Sequence, residues 1–134
     1  MLNKWNKETY MKDNRTFGTI IRSARLERRK KDASFSLRKF AKRINISPTY
    51  LSKAETDEFT PPRAETVILI AEGLGIDPYF LLEKARKIHP DLKKILLLKQ
   101  VQLSPILRLA DKMSPDQISR LTDYAKSIIN GAGT

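Results

Sequence analysis

The groups that could do chemistry lie on one exposed helix face, between Ser47 and Glu55. Leu51 and Ala54 face inward from this stretch. The outward side chains carry hydroxyl groups and one amine, on Thr49, Tyr50, Ser52 and Lys53. Hydroxyl groups donate and accept hydrogen bonds, and an ammonium group donates three and adds a positive charge. Such a face can bind an anion or any surface that presents a pattern of hydrogen-bonding groups.

Two short helices with a tight turn between them must position this face. Ser36 is a good N-cap for the first helix. Apolar residues then recur at i, i+3, i+4 and i+7, which is one helical stripe, at Leu37, Phe40, Ala41 and Ile44. Asn45 can enter the left-handed conformation at low cost, and Ile46 plugs the corner. Ser47 caps the second helix, where Pro48 loses nothing by lacking an N–H.

Another helix precedes these two. Thr16 can cap it, and its buried stripe consists of Phe17, Ile20, Ile21 and Ala24. Its arginines mostly cover the other faces, at Arg22, Arg25, Arg28 and Arg29. A loop follows over residues 32–35, from which we expect Phe35 to fold back onto the core beside the Ser36 cap.

Two further helices follow a loop over residues 56–63, because its paired prolines cannot continue a helix. We expect Phe59 to pack inward from this loop. The next helix begins near Ala64, and its core stripe is Val67, Ile70, Ala71 and Leu74. Asp77 caps the last helix, with Pro78 in its first position. The inward residues of that helix are Leu81, Leu82, Ala85 and Ile88.

Three short amphipathic helices are predicted beyond Pro90. The first covers residues 91–100, the second starts at Ser104–Pro105, and a capping box at Ser114–Gln117 begins the third. Three helices of this size cannot enclose a core of their own. Their apolar faces therefore need another surface, which is either a second copy of the chain or the five helices before Pro90.

Positive charge is concentrated in the first half of the chain. The formal net charge is +11 over 134 residues. Residues 1–63 hold 16 Lys and Arg against 7 Asp and Glu, whereas residues 64–134 hold 10 against 8. A basic half that also carries the two-helix element is the electrostatic footprint of a polyanion-binding protein. The plainer alternative is that the charge only aids solubility.

Composition excludes several classes of protein. There is no cysteine, which excludes disulfides and Cys-based metal sites. His89 is the single histidine, so neither a metal site nor a cofactor is predicted. No apolar run approaches the ~20 residues that span a bilayer, and the N-terminus lacks the apolar core of a signal peptide. We therefore expect a cytoplasmic protein without a membrane role, associated with the nucleoid if it binds DNA.

The two-helix element resembles the helix-turn-helix of the Cro/phage-repressor (XRE-type) family. The family pattern has a small residue where the helices meet, a turn residue, an apolar residue that fills the corner and a core residue in the second helix. In this sequence these are Ala41, Asn45, Ile46 and Leu51. The string S-P-T-Y-L-S-K-A-E resembles the recognition helix of that family. Two positions depart from the pattern, because Asn45 replaces the usual glycine and Ala54 a larger aliphatic residue. The resemblance covers about residues 16–88.

The resemblance implies an all-α fold with a five-helix lambda-repressor-like DNA-binding domain. We expect a basic N-terminal arm over residues 1–15, the helix-turn-helix domain over 16–89 and a helical dimerisation segment over 90–134. The arm carries Lys4, Lys7, Lys12 and Arg15. It either touches the DNA, as in some proteins of this class, or is a disordered leader whose Trp5 packs on the domain.

The resemblance also implies which residues would touch double-stranded DNA. By the family's positions the base-reading residues are Pro48, Thr49 and Lys53, with Ser47 and Ser52 beside them. Lys53 could donate to guanine O6 and N7, and Thr49 could bond a base edge or touch a thymine methyl. The predicted phosphate contacts are Arg38, Lys39, Arg43, Tyr50, Thr60 and Arg63, with backbone N–H groups of the helix that Ser36 caps.

A homodimer is expected because one such helix reads only a few base pairs. Two-fold symmetry doubles the reading and predicts an inverted-repeat operator. The predicted interface consists of Leu96, Ile106, Leu109, Met113, Ile118, Leu121, Ala125 and Ile128. The protein would repress transcription if its operator overlaps a promoter, but the sequence does not separate repression from activation.

A second hypothesis is an antitoxin-type module that neutralises a partner protein through the C-terminal helices and regulates its own synthesis. The leucine-rich stretch over residues 95–98 would serve that role. An enzyme is the third and most distant hypothesis. The carboxylates are dispersed, no glycine-rich phosphate loop is present, and no pair of nucleophile and base is evident.

Overall fold

The computed structural model describes residues 12–131, and every regular element in that range is helical. The all-α class is therefore confirmed. The predictions for Lys4, Trp5 and Lys7 lie outside the described residues. The helices are α1 (Phe17–Arg29), α2 (Leu37–Arg43), α3 (Pro48–Glu55), α4 (Ala64–Leu74), α5 (Pro78–Ala85), α6 (Pro90–Leu98), α7 (Gln100–Ala110) and α8 (Pro115–Asn130).

The chain divides into two compact units between Leu92 and Lys93. The first unit contains helices α1 to α5, which enclose a single apolar core. All five helices contribute large, fully buried side chains, which are Ile21, Phe40, Leu51, Val67, Ile70, Leu74, Leu81 and Leu82. This arrangement is the predicted lambda-repressor-like domain.

Side-chain caps begin α1, α2, α3 and α5, as predicted. Thr16 accepts from the N–H of Thr19 at 3.2 Å, and Ser36 accepts from that of Lys39 at 3.3 Å. Ser47 accepts from the N–H of Tyr50 at 3.0 Å. Asp77 accepts from the N–H of Tyr79 at 2.9 Å. Each cap satisfies a donor that a helix start otherwise leaves unpaired.

The close approach of α1 to the end of α3 requires a glycine at position 18. A Cβ atom at Gly18 would lie 2.5 Å from the carbonyl oxygen of Ala54 and 2.7 Å from that of Glu55. Asp57 has a positive φ of 58° just beyond α3. Its carboxylate accepts from the Gly18 N–H at 2.9 Å and from the Thr16 hydroxyl at 2.6 Å. A side chain at position 18 would push these two elements apart.

Two local expectations for the first unit were wrong. The expected loop before α2 contains a 3-10 turn, Ala33–Phe35, because the Asp32 carboxylate accepts from the N–H and hydroxyl of Ser34. These hydrogen bonds lower the pKa of Asp32. Ile88 does not point inward, since it is 54% exposed. The left-handed conformation of Arg86 ends α5 at Ala85, so Ile88 lies beyond the helix.

The second unit contains the remaining helical segments, and no described residue in it is buried. A helix was expected to start at Ser104–Pro105, but α7 already begins at Gln100 and holds Pro105 in its interior. The N–H of Leu103 donates to the carbonyl of Lys99 at 2.9 Å, so the first helical turn forms ahead of the proline. The capping box of Ser114 and Gln117 at α8 is confirmed.

Candidate nucleic-acid interface

The turn between α2 and α3 has the geometry that its residues predicted. Asn45 has a φ of 61°, in the left-handed region. The N–H of Ile46 donates to the carbonyl of Ala41 at 3.0 Å and closes the turn. Ala41 and Leu51 are fully buried where the two helices meet. The two helices therefore hold a fixed angle that presents the outer face of α3.

The predicted base-reading side chains share the start and outer face of α3. Ser47, Thr49 and Ser52 are exposed, and Pro48 and Lys53 are half-buried. No carboxylate among the described residues lies within ion-pair distance of the Lys53 ammonium group. The face thus offers hydroxyl groups and an uncompensated positive charge. Base reading by these residues stays a prediction.

A shallow basic groove runs between α2 and the start of α3. Its walls are Arg38, Lys39 and Lys42 on one side and residues 45–48 on the other. Arg38 and Lys39 are among the predicted phosphate contacts, whereas Lys42 is not. Lys42 follows Lys39 by three positions and Arg38 by four, and this spacing places the three side chains on one helix face. That spacing could have identified it.

Arg43 lies apart from this groove. Its guanidinium carbon is 4.5 Å from the centroid of the Phe35 ring and 5.2 Å from that of Phe40. One of its nitrogens donates to the carbonyl of Ser34 at 3.4 Å. A cation over two aromatic faces is an intramolecular contact. The phosphate contact expected of Arg43 therefore stays an untested prediction with a competing contact in the free protein.

The loop after α3 places Thr60 and Arg63 on the surface, as contact with DNA phosphates would require. The expectation that Phe59 packs inward was wrong, because its side chain is 45% exposed. Pro62 occupies the buried position in this loop instead. The Phe59 ring stacks on Tyr50 at a centroid distance of 5.8 Å, with the Lys53 nitrogen 5.0 Å from its centroid.

A buried ion pair anchors the last residue of the recognition helix. Arg25 and Glu55 are 4% and 5% exposed. The guanidinium donates to both carboxylate oxygens, at 2.7 and 2.9 Å, and a third nitrogen donates to the Phe35 carbonyl at 3.1 Å. Arg25 was expected to cover an outer face, which was wrong. The pair joins α1, the 3-10 turn and α3 into one rigid support for the interface.

Only part of the expected N-terminal arm falls within the described residues. There, Arg15 donates to Asp13 at 2.6 Å. This contact lowers the pKa of the Asp13 carboxyl and raises that of the Arg15 guanidinium. Lys12 is exposed. Of the two arm cations described, one is therefore locally paired before any DNA binds.

Residues 12–131 contain neither a cluster of metal-binding side chains nor a membrane-spanning helix. No group of three or more His, Asp or Glu side chains in that range could hold a metal ion. None of the helices described there is long and apolar enough to cross a membrane.

Comparison with known proteins agrees with the geometry of α2 and α3. Residues 26–81 match a family model described as helix-turn-helix. No curated protein and no solved structure matches the chain significantly. The matched segment contains the capped helices, the left-handed turn at Asn45 and the basic groove. The chain therefore contains a DNA-binding helix-turn-helix of the Cro/phage-repressor (XRE) type, a family of transcriptional regulators.

Proposed function

We propose that the protein is a sequence-specific regulator that binds double-stranded DNA as a homodimer on an inverted repeat and represses the promoter it overlaps. The observation that carries this proposal is the juxtaposition of the α3 face with the basic groove beside it. The first can read base edges and the second can bind the phosphates that flank them. We expect it to act in the cytoplasm, where its operator lies.

Base reading is assigned to the start and outer face of α3. An α-helix fits the major groove, where each base pair presents a distinct set of donors, acceptors and methyl groups. Lys53 donates to a guanine, and Thr49 bonds a base edge or contacts a thymine methyl. Pro48 adds only apolar contact. The hydroxyl groups of Ser47 and Ser52 lie beside these residues.

Phosphate binding is assigned to the groove and the loop around α3. Arg38, Lys39 and Lys42 supply positive charge on the same side of α2. Thr60 and Arg63 extend the contact along the loop, and Tyr50 adds a hydroxyl group. These contacts set the register of the protein on DNA without reading its sequence.

Dimerisation is assigned to the second unit. Leu96, Met113 and Leu121 are half-buried, and Ile106, Leu109, Ile118, Ala125 and Ile128 are exposed. None of these apolar side chains is buried, and a group of exposed apolar side chains is typical of a surface that binds another protein. A two-fold dimer would place its recognition helices in half-sites about 34 Å apart, one turn of DNA.

Selection of bound duplexes from a random DNA pool, with the full chain at near-physiological salt, tests the proposal. Salt must be fixed because phosphate binding depends steeply on it. We expect enrichment of an inverted repeat whose half-sites are one helical turn apart. Enrichment of a single half-site would contradict the dimer, and a folded protein that enriches no sequence would contradict specific recognition.

Lys53→Ala should weaken binding to the selected operator by about 1–3 kcal/mol and relax the preference at one base pair in each half-site. The amine is the main charged donor on the α3 face, so its loss removes a specific contact. Titration of the operator and of its single-base variants measures both effects. An equal loss on random DNA would make Lys53 a phosphate contact instead.

Arg38→Ala should weaken binding to all duplexes similarly and reduce the slope of log K against log salt by about one. Arg38 lines the groove to which phosphate binding is assigned. Titrations over a series of salt concentrations measure the slope. Glu27→Ala, at an exposed site on α1, is the control and should leave this slope unchanged. An unchanged slope for Arg38→Ala would remove this residue from the interface.

A second candidate function is an antitoxin-type module that binds and neutralises a partner protein. It is favoured by apolar side chains outside the assigned dimer interface, since Leu97, Leu98 and Val101 are all largely exposed. Sedimentation of the purified chain distinguishes the two. A homodimer supports the regulator, and a monomer that needs a second protein for solubility supports the module.

A further inference from the structure

Phe59 lies on the outer side of α3 although it is a large apolar residue. It is 45% exposed, so burial of its ring in the core stabilises this position only in part. Its ring stacks on Tyr50 at a centroid distance of 5.8 Å and an interplanar angle of 29°. The Lys53 ammonium nitrogen is 5.0 Å from the centroid of the same ring. This distance is within the ~6 Å range of a cation–π interaction.

Tyr50 and Lys53 are three positions apart on α3, so their side chains emerge on the same side of the helix. Phe59 reaches back from the loop and contacts both. The Tyr50 ring fixes the plane of the Phe59 ring, and the Phe59 ring restricts the four-carbon stem of Lys53. A free lysine side chain loses up to ~2 kcal/mol of conformational entropy when it is fixed. Here part of that cost is met before DNA binds.

The aromatic contact restrains the ammonium group without occupying its donors. A carboxylate partner would neutralise the charge and accept the N–H groups. The acidic side chain nearest in the loop sequence, Glu58, accepts instead from the Thr56 hydroxyl at 2.7 Å. None of the described carboxylates forms an ion pair with Lys53. The three N–H donors of Lys53 therefore remain available to guanine O6 and N7.

We propose that Phe59 is a positioning residue for specificity, whose ring holds Lys53 in the direction from which it reads one base pair. The inference rests on the proposed function, because it requires Lys53 to contact a base. It extends that function to a residue outside the recognition helix. Phe59 itself contacts no base, so its effect passes entirely through Lys53.

The contact can be measured first in the free protein, independently of DNA. The ring current of Phe59 should shift the ε-methylene proton resonances of Lys53 upfield in the NMR spectrum of the full chain. Phe59→Leu should abolish that shift, and Phe59→Tyr should retain it. An unshifted Lys53 resonance in the unmodified protein would overturn the proposal, whatever the DNA measurements show.

A double-mutant cycle on the selected operator then tests the effect on recognition. Phe59→Leu should weaken operator binding about two-fold to five-fold, the range expected for a cation–π contact at an exposed site, and reduce the preference at the base pair assigned to Lys53. Phe59→Tyr should keep both. In a Lys53→Met background the Phe59→Leu change should have no further effect, because the residue it acts through is gone.

The outcomes separate failure of this inference from failure of the proposed function. If Phe59→Leu causes the same loss of binding in the unmodified chain and in the Lys53→Met background, Phe59 acts on DNA or on the loop directly. That result would overturn the inference while leaving the regulator intact. If the unmodified protein selects no operator, the regulator proposal fails. The inference then fails with it as a statement about specificity, and the NMR shift still reports whether the contact exists.

Discussion

Replacing Glu55 by alanine should lower the free energy of unfolding of the helix-turn-helix domain by about 3–5 kcal/mol. The carboxylate is 5% exposed and accepts two hydrogen bonds from Arg25, at 2.7 and 2.9 Å. Removal of one partner leaves the guanidinium charge buried and without a counterion. Since small domains are stable by only about 5–15 kcal/mol, this single change removes a large part of the total.

Urea denaturation followed by far-ultraviolet circular dichroism measures the change. Glu27→Ala is the matched control, because it also removes a carboxylate paired with a cation, but the pair with Lys30 is exposed. Exposed pairs contribute about 0–1 kcal/mol. The double variant Arg25→Met, Glu55→Leu should recover most of the lost stability, because it leaves no unpaired buried charge. A loss below ~1 kcal/mol for Glu55→Ala would contradict the buried pair.

Short-range signals made the fold of the first unit predictable from the sequence. The caps at Ser36 and Ser47 and the turn at Asn45 involve residues only a few positions apart. The apolar stripes depend on the same helical spacing. Helix positions and the outward face of α3 follow from these signals alone. The basic groove follows as well, apart from Lys42.

Long-range partners decided the features that the sequence did not predict. Arg25 and Glu55 are 30 positions apart, so no local pattern links them. An arginine in a helical pattern is expected on the surface, because arginine is rarely buried without a partner. Pro62 and not Phe59 is the buried residue of its loop, where no periodicity marks the inward side chain. Proline is common at a helix start, so the sequence predicts one at Pro105, but the preceding residues already form a helical turn.

Placing two glutamates on the apolar face of α8, by Ile118→Glu and Ile128→Glu, should abolish the dimer and reduce operator binding to that of a single half-site. Ile118 and Ile128 are 41% and 53% exposed, so the protomer itself should lose little stability. In a dimer interface each carboxylate would be desolvated, at a cost of several kcal/mol. The dissociation constant of the dimer should therefore rise at least about 100-fold.

Sedimentation equilibrium measures the dimer, and titrations of duplexes with one or two half-sites measure its effect on binding. Ser119→Glu adds one such charge on another side of α8 and should leave both quantities unchanged. A dimer that survives both substitutions would place the interface elsewhere. If the substituted protein becomes monomeric but still binds the full inverted repeat as tightly as before, the two recognition helices do not depend on one another. The second unit would then serve a different partner, and the antitoxin-type function would be the better explanation of its exposed apolar residues.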